Sequence, residues 1–151
     1  MHSIILECYE GDILGLSKYV DPVSDTDINT IEEGCIDIYN KICKYCEATE
    51  VNIYSLYVNE SLMGFFCYFY NKDLDANYLI SFCLSVKYRS RRWMRSFYQV
   101  IHSHLGNKFY TAIWSKNSRA IKWLTHFGMT IADKQYYENH EITYLICQHH
   151  S

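Results

Sequence analysis

Apolar and polar positions change their period several times along the chain, and each change marks an element. Residues 3–9 form a short apolar run that predicts a strand, with Gly11 just beyond it. Ile13, Leu14, Leu16 and Tyr19 fit a brief helix that Pro22 ends. Residues 23–29 are polar and acidic. Asp27 or Asn29 is placed to cap a longer helix with apolar positions Ile31, Cys35, Ile38, Ile42 and Tyr45 or Cys46. Residues 51–58 and 62–70 are rich in β-branched and aromatic side chains, and Asn59-Glu60-Ser61 between them makes the pair read as a β-hairpin. A third strand is expected over 78–86. Trp93, Phe97, Val100 or Ile101, and Leu105 then keep helical spacing up to Gly106-Asn107. Residues 109–114 return to a strand pattern. Asn117 or Ser118 caps a helix bearing Ala120, Ile121, Leu124 and Phe127, which Gly128 stops. Residues 129–137 and 141–147 close the chain as two strands joined around Asn139-His140.

The element order is therefore β-α-α-β-β-β-α-β-α-β-β, an α/β mixed sheet. Within 62–70 both alternating sets are apolar: Met63, Phe65, Cys67 and Phe69 on one side, Leu62, Phe66, Tyr68 and Tyr70 on the other. Such a strand is covered on both faces, so helices are expected on both faces of the sheet. No linker, repeat or biased segment interrupts the 151 residues, and one domain spanning 1–151 is expected.

Composition narrows the class. Hydrophobic residues make up 49% and charged residues 21%, which excludes disordered and low-complexity chains. The longest apolar stretch, 62–70, is about half of what a membrane-spanning helix requires, so no membrane association is expected. The start of the sequence has neither a basic leader nor an apolar segment of secretory length. Seven cysteines, an odd number, then read as reduced core thiols. A cytoplasmic location is the expectation. The net charge of -3 hides a split, since residues 1–60 carry twelve acidic and three basic side chains and the remainder five and eleven. The two parts are expected to face different partners. Lys87, Arg89, Arg91, Arg92 and Arg95 place five cations within nine residues. Three readings of that cluster stay open: a phosphate cradle, an anion site for nucleic acid or protein, and a solvated helix start. The net acidic balance speaks against nucleic acid.

The segment Asn117-Ser118-Arg119-Ala120-Ile121-Lys122-Trp123-Leu124-Thr125-His126-Phe127-Gly128-Met129 resembles the N-x-x-A-x-x-(aromatic/Leu)-x-x-x-x-G-(Phe/Met) signature of the GNAT superfamily of acyl-CoA-dependent N-acetyltransferases. Leu84-Ser85-Val86-Lys87-Tyr88-Arg89 is similar to the strand end that enters that family's pyrophosphate loop, and the element order is similar over essentially the whole chain. The resemblance implies a single GNAT-like domain that takes acetyl-CoA. It places the cofactor site at Leu84, Val86, Arg89, Ser90, Arg91, Arg92, Trp93, Met94 and Asn117. It further implies that strands 78–86 and 109–114 are parallel neighbours that part towards their C-terminal ends. Backbone N–H groups near Leu84 and Ser85 would hold the thioester carbonyl, and Leu124 stands at the proton-donating tyrosine position, facing the cleft.

The sequence departs from the family pattern at three places. The family loop reads Arg/Gln-x-x-Gly-x-Gly/Ala, because backbone N–H groups at a helix start hold the pyrophosphate and glycine permits its approach. Here the matching run is Arg89-Ser90-Arg91-Arg92-Trp93-Met94, a degenerate P-loop with Arg92 and Met94 at both glycine positions. The tyrosine is replaced by Leu124, and residues 78–86 hold no Asp or Glu to act as a base. Tyr136, Tyr137, His126 or a water relay are the candidate substitutes. Two functions stay open. One is a divergent N-acetyltransferase acting on an unidentified amine, with Asp21, Asp25, Asp27, Glu32 and Glu33 favouring a cationic one. The other is a catalytically silent GNAT-like binding or assembly protein with protein partners. The Trp123-Leu124 pair resembles GNAT-like proteins of tailed bacteriophages, which implies a phage protein in the host cytoplasm or the virion.

Other candidate chemistry is weaker. Cys43-Lys44-Tyr45-Cys46 has CxxC spacing without a second ligand pair, so core packing is favoured and no metal is expected. His102 and His104 are two apart on a helix, do not share a face, and are expected at the surface. Tyr54, Tyr57, Tyr68 and Tyr70 read as sheet packing rather than a ligand platform. Ser85 and Cys83 lack any motif that marks a nucleophile.

Overall fold

The computed structural model describes residues 4–9, 50–137 and 139–148. The helices expected at 13–19 and 31–46, the acidic side chains from Asp21 to Glu33 and the Cys43/Cys46 pair lie outside them. Seven strands form one sheet in the order β1-β2-β3-β4-β5-β7-β6. β1 (Ile4–Cys8), β2 (Asn52–Val58), β3 (Ser61–Asn71) and β4 (Ala76–Leu84) are successive antiparallel neighbours. The chain crosses over through α1 (Arg91–Leu105) and returns as β5 (Lys108–Trp114), which runs parallel to β4. After α2 (Ser118–His126) it lays down β6 (Thr130–Tyr137) at the edge and inserts β7 (His140–Gln148) between β5 and β6, antiparallel to both. No described helix is long and apolar enough to cross a membrane.

The apolar patterns dictate the layers. Phe97, Tyr98, Ile101 and Leu105 of α1 and Trp123 and Leu124 of α2 form one buried cluster with Leu56, Phe66, Leu79, Phe109 and Leu145 of the sheet. Both described helices thus cover the same face. The opposite face buries Phe65, Cys67, Phe69, Tyr78 and Ile80. β3 and β4 are buried on both faces, as their uninterrupted apolar runs require.

Two β-bulges alter the alternation. Leu56 lies opposite Gly64 while Tyr57 lies opposite Leu62, so Met63 is an extra residue in β3. The bulge sends Met63 to the helix face with Phe66 and Leu62 to the other face with Phe65, the reverse of the expected faces for both residues. In β4, Tyr68 of the neighbouring strand faces Leu79 and Cys67 faces Ser81, which makes Ile80 the extra residue. Gly64 lies opposite Leu84. A Cβ at that position would overlap the Cys83 carbonyl oxygen and stand 3.3 Å from the Phe97 ring, so β3 meets the end of β4 closely only because residue 64 has no side chain.

Element ends differ from expectation for local reasons. β4 stops two residues early because, past a last bond from the Ser85 N–H to the Met63 carbonyl of β3 (2.8 Å), the Tyr88 N–H donates to the Ser85 carbonyl (2.8 Å) and closes a 3-10 turn over Val86–Tyr88. α1 starts two residues before Trp93 because Ser90 caps it, its hydroxyl accepting the Trp93 N–H at 3.5 Å. The histidines are not at the surface as expected. His104 is half-buried with its ring edge-on to Tyr54 (4.5 Å), Tyr68 (5.4 Å) and Phe66 (5.7 Å), and half-buried His102 packs on Phe109 at 6.1 Å. Tyr54 and Tyr68 stack along the sheet at 6.3 Å, so these tyrosines pack as expected. Of the described cysteines, Cys67 and Cys147 are buried thiols and Cys83 is half-buried, but Cys8 is exposed.

Candidate functional site

β4 and β5 pair only over Asn77↔Phe109, Tyr78↔Tyr110 and Leu79↔Thr111. Beyond Leu79, β4 continues for five residues and β5 for three beyond Thr111 without a shared ladder, so the two parallel strands part at their C-terminal ends. The β4 bulge at Ile80 falls directly after the last pair, and the added twist of a bulge is the local cause of the parting. Below the opening, the Thr111 hydroxyl donates to the Leu79 carbonyl at 2.8 Å and locks the two strands together.

Ladder phase decides which backbone groups face the gap. The Ser85 N–H is bonded to Met63 of β3, so the opposed Gly64–Leu84 pair is of the non-hydrogen-bonded kind, and Leu84 turns its N–H and carbonyl away from β3. The two oxyanion candidates therefore separate: the Ser85 N–H is committed within the sheet, and the Leu84 N–H is directed to the β5 side. The Leu84 carbonyl accepts Arg89 Nε at 2.7 Å, so Arg89 anchors the strand end as well as carrying charge. Arg89 Nη2 also lies 3.8 Å from Cys83 Sγ.

Both described helices begin at this end of the sheet, and neither has an acidic residue in its first turn. The uncompensated N–H groups and dipole of a helix start favour negative charge, so a cation there is unfavourable by about 0.3–1 kcal/mol. In α1, Arg91, Arg92 and Arg95 are exposed, and no described acidic side chain pairs with them. The substituted glycine positions do not act alike. Arg92 lies over the Trp93 ring (5.1 Å), which stands edge-on to buried Tyr88 (5.3 Å), while Lys87 lies over the Tyr88 ring at 5.5 Å. Met94 instead packs half-buried against the core, and its N–H bonds the Ser90 carbonyl at 2.8 Å. Exposed Ser90 is the cap, and Val86 lies in the 3-10 turn.

In α2, Asn117 caps the helix, its side-chain oxygen accepting the Ala120 N–H at 3.2 Å. Leu124 is fully buried in the core cluster, where its place on the helical stripe with Trp123 turns it to the sheet. The substitute acids and bases are also separated by topology. α2 runs away from the opening, so exposed His126 in its last turn lies towards the far end of the sheet. Tyr136 is 76% exposed on the edge strand β6, two strands from the gap, and the side chain of Tyr137 lies outside what is described.

Sequence reasoning missed two features. Trp114, the last residue of β5, stacks in parallel on His140 at 4.8 Å and 7°. Trp123 has a buried indole Nε1 with no acceptor among the described residues. With aromatics at 17% of the chain, Trp114 did not stand out from its neighbours, and the signature that includes Trp123 says nothing of its indole N–H.

No protein-family model matches this sequence, and no curated protein sequence matches it either. Solved structures match over nearly the full length. A chimera of spermidine N-acetyltransferase SpeG from Vibrio cholerae and hSSAT is similar with a TM-score of 0.67 at 9% identity, over 96% of this chain and 95% of that one. A putative acetyltransferase of the GNAT family from Desulfovibrio desulfuricans has a TM-score of 0.67 at 11% identity, over 97% and 99%. RimL, a ribosomal L7/L12 α-N-protein acetyltransferase in complex with coenzyme A, has a TM-score of 0.60 at 13% identity, over 93% and 92%. The chain has the GNAT fold.

Proposed function

We propose that this GNAT-fold chain is a divergent N-acetyltransferase that uses acetyl-CoA to acetylate an amine, built as one domain over residues 1–151. The observation that carries the reading is the opening between β4 and β5 directly beneath an arginine-flanked helix start. Acetyl-CoA supplies an activated acyl carbon as a thioester, attached to a long arm that ends in phosphates. The residues present fit such a molecule. The gap takes the arm, the Leu84 N–H is turned towards it, and the cations of α1 await an anion. Arg91, Arg92 and Arg95 bind the phosphates through guanidinium groups, in place of the close backbone approach that glycines permit. The Leu84 N–H donates to the carbonyl oxygen as negative charge grows on it. Ser90, Trp93, Met94 and Asn117 hold the two helix starts in place around the opening.

The acidic balance of residues 1–60 makes a cationic acceptor the favoured class, and the similar structures include a spermidine and an α-N-protein acetyltransferase. The test is a calorimetric titration with acetyl-CoA at low and high salt, followed by an acetylation assay over polyamines, peptides and aminoglycosides. Saturable binding that weakens with salt, with turnover of at least one amine above the uncatalysed rate, is expected. An absence of binding at low salt together with no turnover would overturn the reading in favour of an assembly protein.

A further inference from the structure

Trp123 is 9% exposed, yet its indole Nε1 is closed off from solvent and meets no acceptor among the described residues. Such groups are rare, because the hydration lost on burial is not replaced. The ring is walled by Phe82 (5.4 Å), Phe97 (5.9 Å), Phe127 (5.9 Å) and Tyr98 (6.0 Å). Three of these carry no acceptor, and the Tyr98 hydroxyl is turned to Cys147 Sγ at 3.7 Å. Phenylalanine or leucine would pack here without stranding a donor, so packing alone does not call for an indole.

Position indicates what meets the N–H. Phe82 belongs to the part of β4 beyond Leu79, where β5 no longer pairs, and its ring packs on the helix face, so the indole lies over the β4 side of the opening on that face. Trp123 lies about one and a half turns below the Asn117 cap, level with the unpaired part of the two strands rather than with the helix starts. A chain threaded between β4 and β5 passes this pair of rings.

We propose that Trp123 Nε1 donates a hydrogen bond to a carbonyl oxygen of the bound acyl donor's arm and so sets how deep that arm inserts. The inference rests on the acyl-CoA reading above. The acceptor is an amide carbonyl of the pantetheine arm or the thioester carbonyl, and the ligands below separate these sources.

The protein has three tryptophans, so the indole region of a 15N–1H spectrum holds three resonances, and Trp123→Phe assigns the one in question. The full chain is titrated with coenzyme A, with acetyl-CoA, and with 3′-phospho-ADP, which keeps the phosphates and lacks the arm. Coenzyme A and acetyl-CoA are expected to move the Trp123 indole proton downfield and slow its exchange with deuterium. 3′-Phospho-ADP is expected to shift only amides of the first turn of α1. A response to acetyl-CoA alone assigns the acceptor to the thioester. In parallel, Trp123→Phe is expected to weaken coenzyme A binding about fivefold to tenfold while leaving 3′-phospho-ADP unaffected. If the variant fails to fold, the wild-type spectra still decide. Shifts of the α1 amides with a stationary indole would overturn the proposal and assign the N–H to the Tyr98 or Phe127 ring face. If no resonance moves with any ligand, the acyl-CoA reading fails and this inference with it.

Discussion

The lower and upper halves of the β4–β5 pair are built from the same two strands, but they are organised to opposite ends. Below Leu79 and Thr111 the strands share a ladder, a side-chain bond from Thr111 reinforces it, and Asn77 Nδ2 donates to the Leu105 carbonyl at 2.8 Å to pin the end of α1. Above that level the ladder stops, backbone groups turn to a gap, and cations gather where the helix dipoles are already positive. A single extra residue, Ile80, separates the two regimes. The lower half supplies stability and the upper half holds groups in arrangements that a ligand would complete, so substitutions should sort by level: stability below, affinity above.

The sharpest break in that sorting is expected at Gly64, which lies at the upper level but carries a packing role. Gly64→Ala forces a methyl group into the Cys83 carbonyl, which is backbone and cannot swing aside. Urea denaturation should show a loss of about 2–4 kcal/mol. A loss under about 0.5 kcal/mol, the range of neutral surface changes, would mean that β3 and β4 separate easily and that the opening is not rigid.

Arg92→Ala should do the reverse. Its exposed guanidinium lies over the Trp93 ring, so thermal stability should hardly change, while acetyl-CoA affinity falls by about 1.5–3 kcal/mol if a phosphate contact is lost. Arg89→Ala should lower both quantities, since it also releases the Leu84 carbonyl. Equal stability losses in the two variants would remove the distinction between anchor and ligand contact.

Strand and helix positions were legible because period two and period 3.6 survive in the apolar residues, and the parting of β4 from β5 was legible from the resemblance. What could not be read was phase. A bulge needs no signature residue, so Met63 and Leu62 were assigned to the wrong faces. Whether Leu84 or Ser85 offers its N–H depends on which residue pair in the ladder is hydrogen-bonded, and no residue type encodes that. For Leu124 the signature names a helical position, and only the packing shows that its side chain is buried against the sheet. Leu124→Tyr is therefore expected to overfill the core, lowering stability by about 1–3 kcal/mol without raising acetyl transfer. A stable variant with raised activity would place residue 124 in the opening.

The smallest expected effect tests whether the two levels are independent. His104 lies in the last turn of α1, far from the opening, and burial against Tyr54, Phe66 and Tyr68 pushes its pKa below the usual histidine value. The unfolded chain then binds a proton at higher pH than the folded one. Stability from this group is fully present above the ordinary histidine pKa of about 6.5 and is lost as pH falls towards the lowered folded value. Unfolding free energy measured across that window should decline on acidification, and His104→Phe should flatten the decline. Acetyl-CoA affinity in the same variant should follow the wild-type pH profile, because the titrating group sits at the paired level. A shared change in both profiles would show that the lower ladder and the opening respond as one unit.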